Sequence, residues 1–295
     1  MDVVPLGPGF AAELRGVTLG DVANDDAVYA AVRAAFEEHS VLVFRGQEVT
    51  DEGQLAFSRR FGPPELTKVG SLGTGSHFVI LTTIGPDGKV VPPDHRYAMR
   101  NKANQLWHTD SSFKRTPALT SILSARIIPA NGGETEFVST RLAFARLNPV
   151  LQAKLANSFA WHDYNHSRSQ IAEGLATPEE RAALPPVCWR MVWKNPANGK
   201  GALYLASHAY AVEGMGAAAG KALIEELMAA ATAPGSSYVH AWKAGDVVMW
   251  DNRATMHRGR PWPAHEARTM VRTTISATAA DGLESMRPPA QQAAE

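Results

Sequence analysis

The spacing of apolar side chains predicts few helices and many short strands. Asp25 or Asp26 can cap a helix in which Val28, Val32 and Phe36 recur at i, i+4 and i+8, on one face. Thr50 can cap a second, with Asp51 and Glu52 in the first turn, where the macrodipole favours carboxylates. Leu55 and Phe57 open its apolar side, and Gly62-Pro63-Pro64 ends it. Leu223, Ile224, Leu227 and Met228 give 217–230 a buried stripe. Segment 139–156 is helical too, split by Pro149.

Apolar runs too short for helices fill most of the remainder. They are Val41–Phe44, Thr120–Ile128, Glu134–Val138, Val187–Trp193, Ala202–Leu205, Tyr238–Trp242, Asp246–Trp250 and Thr269–Ile275. Lys243-Ala244-Gly245-Asp246 reads as a hairpin turn between two of them. Strands this frequent predict a mainly β fold with flanking helices, of the cupin-like jelly-roll kind. A doubly wound parallel sheet is excluded, because strands and helices do not alternate regularly and no Gly-rich phosphate loop follows the first strand. The reading is one domain over 1–280, with insertions near 66–104 and 162–186 that are rich in turn residues and suited to lids. Residues 281–295, rich in Pro, Gln and Ala, read as a flexible tail.

Composition narrows the class. The 295 residues suffice for a large core, and the formal net charge is zero, which argues against a nucleic-acid or membrane-surface partner. The single cysteine, Cys188, cannot form an internal disulfide. No basic stretch and apolar run mark a signal peptide, and no apolar run approaches the roughly 20 residues of a membrane span, so a cytoplasmic protein is expected.

The strongest chemical signal is Gln105-Leu106-Trp107-His108-Thr109-Asp110-Ser111. On a strand, residues two apart share a face, so His108 and Asp110 would present an imidazole and a carboxylate together. An HxD pair is common by chance and needs a third ligand. His257, in Thr-Met-His-Arg-Gly-Arg after the strand that ends at Trp250, is the best candidate. Two histidines and one carboxylate on one face of a metal form the iron(II) oxygenase arrangement. Arg268 and Arg272 follow, and either guanidinium fork could bind the far carboxylate of a metal-chelating keto acid.

Other groupings are weaker. His162 and His166, four apart with Asp163 beside them, could form a zinc pair but read as surface or lid groups. Gly132-Gly133-Glu134-Thr135-Glu136 reads as a turn entering a strand. The tryptophans read as core. Lys68 and Lys89 read as solvated lysines, to which an anionic substrate would give a second purpose.

ANQLWHTDSSF, GGETEF, WDNRATMHRGR and the spacing to Arg268 resemble the taurine dioxygenase/2,4-dichlorophenoxyacetate dioxygenase family. GVTLGD, VLVFRGQ and AFSRRFGP are similar to it as well, so the likeness runs from about residue 10 to 277. The wording is closest to the herbicide-degrading, aryloxyacetate branch. The resemblance implies a double-stranded β-helix, with iron(II) held by His108, Asp110 and His257. It implies 2-oxoglutarate as cosubstrate, its distal carboxylate on Thr135 and Arg268, and dioxygen as oxidant. Arg272 would sit near the substrate's anionic group, and Asn104 would line the substrate pocket. Family members are often oligomers, so a homo-oligomer acting on a small organic anion is expected. The implied reaction hydroxylates the carbon next to the ether oxygen of an aryloxyacetate such as 2,4-dichlorophenoxyacetate, giving a phenol, glyoxylate, succinate and carbon dioxide. An alkylsulfonate of the taurine type is the alternative substrate. A zinc hydrolase on the same triad is a remote reading, disfavoured because it has no need of Arg268. One departure stands out: Asn195 occupies the place of a histidine that many relatives carry just before a proline.

Overall fold

The structure, a computed structural model, describes residues 1–289. It consists of several sheets with flanking helices. The N-terminal part holds β1 (Asp2–Pro5), β2 (Ala11–Arg15), β3 (Val41–Phe44), β4 (Val79–Thr82) and β5 (Ala118–Ile127). β6 (Thr135–Ser139), β7 (Phe159–His162), β8 (Val187–Arg190), β9 (Val192–Lys194), β10 (Gly201–Leu203) and β11 (Ala209–Val212) follow. The last four are β12 (Ser237–His240), β13 (Val247–Asp251), β14 (Thr255–Gly259) and β15 (Thr269–Ser276). The helices are α1 (Leu19–Asn24), α2 (Asp26–His39), α3 (Asp51–Arg59), α4 (Arg96–Ala103) and α5 (Thr140–Arg146). α6 (Pro149–Leu155), α7 (Tyr164–Ser169), α8 (Pro178–Ala183) and α9 (Ala217–Ala231) complete them.

A seven-stranded sheet runs in the order β1-β2-β3-β13-β5-β15-β4, antiparallel except for β2 with β3. A three-stranded sheet, β12-β6-β14, packs against one of its faces. The fully apolar text of β3 has a physical reason. Val41 and Val43 point into the layer shared with Phe137, Trp250 and Met270, whereas Leu42 and Phe44 point to the other face, among Val32, Phe36 and Phe57 of α2 and α3. Both faces are covered, so alternation with polar residues is absent.

The boundaries of the expected helices follow the sequence signals closely, although α1, α4, α7 and α8 were not expected and helices are more frequent than the apolar spacing predicts. Asp25, not Asp26, caps α2, its carboxylate accepting from the N–H groups of Ala27 at 2.8 Å and Val28 at 3.1 Å. Thr50 caps α3, and Pro149 opens α6 under an Asn148 cap.

Three expectations change. Lys243–Asp246 is not a hairpin: β12 pairs with β6 in the small sheet and β13 with β3 and β5 in the large one, so the turn crosses between sheets. Alternating apolar residues on both sides cannot reveal which partner each strand takes. His162 is not a surface group. It ends β7, is fully buried without a hydrogen-bond partner, and stacks on Tyr204 at 5.7 Å. Burial pushes its imidazole down to about 3. His166 lies on α7 instead, so the two do not form a helical pair. Past residue 280, two short 3-10 turns bury Leu283 and Met286 in the main core, and Trp193 Nε1 donates to the Asp281 carbonyl at 2.8 Å. Residues 290–295 of the expected tail lie outside the described residues.

Asn195 belongs to a structural network. Its amide donates to Glu37 on α2 at 2.5 Å and its carbonyl accepts from Arg253 at 3.4 Å. Arg253 is buried and also binds Asp251 at 2.9 Å and Glu37 at 2.7 Å. No described helix is long and apolar enough to cross a membrane.

Met286 is completely buried. Met286→Ala is expected to lower unfolding free energy by about 2–5 kcal/mol in a denaturant titration. An unchanged midpoint would show that the segment contributes no packing.

Candidate metal centre

His108 and His257 meet through backbone pairing. Each donates its N–H to the other's carbonyl, at 3.0 and 2.8 Å, in an isolated antiparallel bridge that extends from β14. The expected strand through 108–110 is not formed. Only His108 pairs, and the chain turns at Asp110, with Ser111 in the left-handed region at φ 57°. The carboxylate therefore reaches the site by a turn rather than by strand alternation.

Asn252 holds that turn. Its side-chain oxygen accepts from the Asp110 N–H at 3.0 Å and from Trp250 Nε1 at 3.1 Å, while its NH2 donates to Ser121 Oγ at 3.1 Å. Ser121 in turn donates to Asp110 Oδ2 at 2.7 Å. Thr109 Oγ1 donates to the Asn252 carbonyl at 2.7 Å. All of these residues are buried, so the fixed amide leaves the carboxylate little freedom.

The donor atoms of His108, Asp110 and His257 lie within 4.8 Å of one another. His108 Nε2 is 4.0 Å from Asp110 Oδ1 and His257 Nε2 is 3.7 Å from Oδ2. His108 Nδ1 lies 2.7 Å from the Leu106 carbonyl, which can only accept, so the proton sits on Nδ1 and the Nε2 lone pair is free. Burial lowers both imidazoles, helped at His257 by His108, and keeps them neutral near pH 7. Burial alone would raise Asp110, but the Arg272 guanidinium, helped by the Ser121 hydroxyl that donates to the carboxylate, holds it well below the usual carboxylate range. Two neutral nitrogens and one carboxylate on one side of a point fit a divalent transition metal with open positions.

Two cavities meet at this centre. One is lined by Thr135, Asn104, Trp262, Arg268, His257 and Arg272. Arg268 is buried, stacks over Trp262 at 4.9 Å and donates to the Gly133 carbonyl at 3.2 Å; its Nε has no partner among the described residues. Burial pulls its guanidinium down to about 10. Thr135 Oγ1 accepts from Trp242 Nε1 at 3.0 Å, which leaves its own proton to donate. Gly133 makes the approach possible: at φ 73°, a Cβ there would lie 2.9 Å from Pro129 Cγ and 3.3 Å from Arg268 Nε. A hydroxyl and an uncommitted guanidinium at one end and a metal triad at the other suit a dicarboxylate.

The second cavity is lined by His108, Asp110, Asn104 and Arg272, with cationic Lys68, Arg100, Lys114 and Arg168 and apolar Leu66, Val79, Leu81 and Phe113. Asn104 borders both cavities, its carbonyl fixed by the Gly259 N–H at 2.9 Å. Arg272 contacts the Asp110 carboxylate directly. Lys68 is present but already bound to Glu180 at 2.6 Å. Lys89 is exposed on a tight turn and lines neither cavity, so the structure gives it no place at the site. Asn195 also lines neither.

Glu180 was invisible as a functional residue in the sequence. Fully buried on α8, it binds Lys68, Arg100 at 2.7 Å, Arg96 at 3.2 Å and the Tyr164 hydroxyl at 3.3 Å. It thereby ties segment 66–104 to segment 162–186. Burial would raise its carboxyl, but Lys68, the Thr177 N–H and Arg100 pull it down to about 2. Ser121, Trp242 and Asn252 were missed as well. Only Asn252 left a signal, lying close before His257 in WDNRATMHRGR.

Two outcomes follow from these contacts. Asn252→Ala should weaken divalent-metal binding by about 10- to 100-fold in equilibrium dialysis, the usual scale for groups that orient metal ligands. Unchanged affinity would mean that the Asp110 turn holds without the amide. Glu180→Gln leaves Lys68 and Arg100 without a buried counter-charge, a loss of roughly 3 kcal/mol. Hydrogen exchange should then speed up in 66–104 and 162–186 together. Because the folded pKa is depressed, the stabilisation is complete above the unfolded value of 4.5 and disappears as pH falls toward about 2. Exchange confined to one segment would refute the clamp.

Comparison with known proteins agrees with this geometry. Residues 2–274 match the family model described as "Taurine catabolism dioxygenase TauD, TfdA family". The chain is 38% identical over 275 residues to an alpha-ketoglutarate-dependent 2,4-dichlorophenoxyacetate dioxygenase of Cupriavidus pinatubonensis, covering 92% of this chain and 96% of that one. It is 33% identical to an (S)-phenoxypropionate/alpha-ketoglutarate-dioxygenase of Sphingobium herbicidovorans, with 93% and 94% covered. A crystal structure of AAD-2 in complex with Mn(II) and N-oxalylglycine superimposes with a TM-score of 0.86 at 35% identity, covering 94% of this chain and 98% of the other. With its His108–Asp110–His257 triad, the chain belongs to the TauD/TfdA family of iron(II)- and 2-oxoglutarate-dependent dioxygenases.

Proposed function

We propose that this dioxygenase hydroxylates the carbon beside the ether oxygen of an aryloxyacetate such as 2,4-dichlorophenoxyacetate. The observation that carries the reading is the second cavity, where cationic side chains and the apolar Leu66, Val79, Leu81 and Phe113 share one space with His108 and Asp110. An aryloxyacetate has the same two halves. An alkylsulfonate would use the cations but not the apolar wall.

The residues then take the following roles. His108, Asp110 and His257 hold iron(II). Arg268 and Thr135 bind the distal carboxylate of 2-oxoglutarate, and the Gly132-Gly133 turn lets Arg268 approach. Bound iron(II), with 2-oxoglutarate and dioxygen, supplies the oxidation that yields succinate, carbon dioxide and a hydroxylated C–H carbon. Asn252 and Ser121 fix the Asp110 carboxylate, and Arg272 balances its charge. The insertions, joined through Glu180, exclude water above the site. The hydroxylated product is a hemiacetal; it loses the phenol as the hydroxyl carbon becomes the aldehyde of glyoxylate. We read the facing large and small sheets as a double-stranded β-helix, in one domain that continues past 280 to include Leu283 and Met286.

The test is succinate formation by iron-loaded protein supplied with air, 2-oxoglutarate and either 2,4-dichlorophenoxyacetate, a 2-aryloxypropionate or taurine. Succinate released in step with phenol from the aryloxyacetate is the expected result. Coupling to taurine alone would overturn the substrate reading.

A further inference from the structure

The Thr135 hydroxyl is not free to turn. Among the described residues its side chain has one hydrogen-bond partner, Trp242, whose indole Nε1 donates to Oγ1 at 3.0 Å. An indole N–H can only donate, so one lone pair of the hydroxyl oxygen is taken and the proton points elsewhere. Thr135 is buried and lines the cavity that also holds Arg268 and His257. Trp242 lines neither cavity at the metal centre.

Trp242 is itself held from behind. It lies two residues past β12, in the segment that crosses from the small sheet to the large one. His240, the last residue of β12, is the direct register partner of Thr135 on β6. Its ring meets the indole edge to face, with centroids 4.5 Å apart and planes at 80°. His240 is completely buried, and both of its nitrogens are engaged. Nε2 lies 3.1 Å from Asp246 Oδ2, an acceptor, so Nε2 carries the proton; Nδ1 then accepts from the Tyr238 hydroxyl at 3.0 Å. The same Asp246 oxygen accepts from the Lys243 N–H at 2.7 Å and from Arg45 at 2.5 Å. Arg45 directly follows β3 and Asp246 directly precedes β13, neighbours in the large sheet. The indole is thus pinned by a ring supported from the large sheet, while the hydroxyl it holds belongs to the small one.

We propose that Trp242 is a positioning residue for 2-oxoglutarate. Its N–H fixes the Thr135 oxygen and turns the hydroxyl proton toward the far carboxylate, with His240 and Asp246 holding the indole in place. This rests on the reading of Thr135 and Arg268 as the groups that bind that carboxylate. A hydrogen bond donated into the hydroxyl oxygen also polarises its O–H, which strengthens the bond given onward to an anion. Arg268 has separate support, from Trp262 and the Gly133 carbonyl. Loss of the indole N–H therefore acts through Thr135.

The experiment measures 2-oxoglutarate binding by calorimetry, without oxygen, on iron-loaded wild type, Thr135→Ala, Trp242→Phe and the double variant. Phenylalanine keeps a ring against His240 and removes the N–H. The dissociation constant is expected to rise roughly 10- to 100-fold in Thr135→Ala, where a bond to a charged group is lost, and roughly 3- to 10-fold in Trp242→Phe. The double variant should match Thr135→Ala, because the indole then has no hydroxyl to orient. As a control for the fold, 2-oxopentanoate presents the same keto and carboxylate groups to iron but ends in a methyl group; it should bind wild type and Trp242→Phe alike. Unchanged 2-oxoglutarate affinity in Trp242→Phe beside a weakened Thr135→Ala would overturn the proposal and leave the carboxylate site standing. Losses that add in the double variant, or that extend equally to 2-oxopentanoate, would reduce Trp242 to packing and overturn it as well. Unchanged affinity in Thr135→Ala would overturn both readings.

Discussion

His108 and His257 exchange both backbone hydrogen bonds, and this narrow bridge makes residues far apart in the chain into one metal site. Its geometry fixes the two imidazoles with centroids 4.2 Å apart. Asp110 cannot be delivered by the same pairing, because the strand ends at His108. The Asn252 amide takes over, binding the Asp110 N–H directly and its carboxylate through Ser121. Since Asn252 directly follows β13 and Ser121 lies on β5, adjacent strands of the large sheet carry the support. The core beneath is therefore a part of the catalytic geometry, and loosening it would be felt at the metal.

Charge balance organises the space around this bridge. A buried cation without a counter-charge or hydrogen bonds is costly. The walls accordingly match Lys114 with Glu65, and Lys68 and Arg100 with Glu180. Against that background, the guanidiniums left with unused donors mark where ligands bring negative charge. Arg268 is one such place, at the end of the first cavity. Glu180 adds a mechanical consequence, since one carboxylate holds both insertions over the centre.

The sequence carried the parts of this arrangement that are local. The cap at Thr50, the helix break at Pro149 and the apolar run Val41–Phe44 each depend on neighbours a few residues away. That a guanidinium after His257 should meet the far carboxylate of a keto acid was legible, but the family resemblance, not the spacing, singled out Arg268 over Arg272. What depended on distant partners was not. Asn195 stood out as a lost histidine, yet it serves a buried network with Glu37 and Arg253, whose members lie in separate elements. His162 read as polar surface because its text is polar, but β7 carries it inward against Tyr204. Lys68 and Lys89 were equivalent as sequence. Glu180 distinguishes them, taking Lys68 to the cavity wall while Lys89 stays in solvent.

The central claim is that one triad and one buried arginine hold iron(II) and 2-oxoglutarate together. Its most direct test is the visible charge-transfer absorption that arises when a 2-keto acid chelates iron(II), recorded without oxygen as 2-oxoglutarate is titrated into iron-loaded protein. The account predicts a saturable band in the wild type that is absent in Asp110→Ala and needs a far higher 2-oxoglutarate concentration in Arg268→Met. A wild-type titration with no band, or an Arg268→Met curve that overlays the wild type, would contradict it.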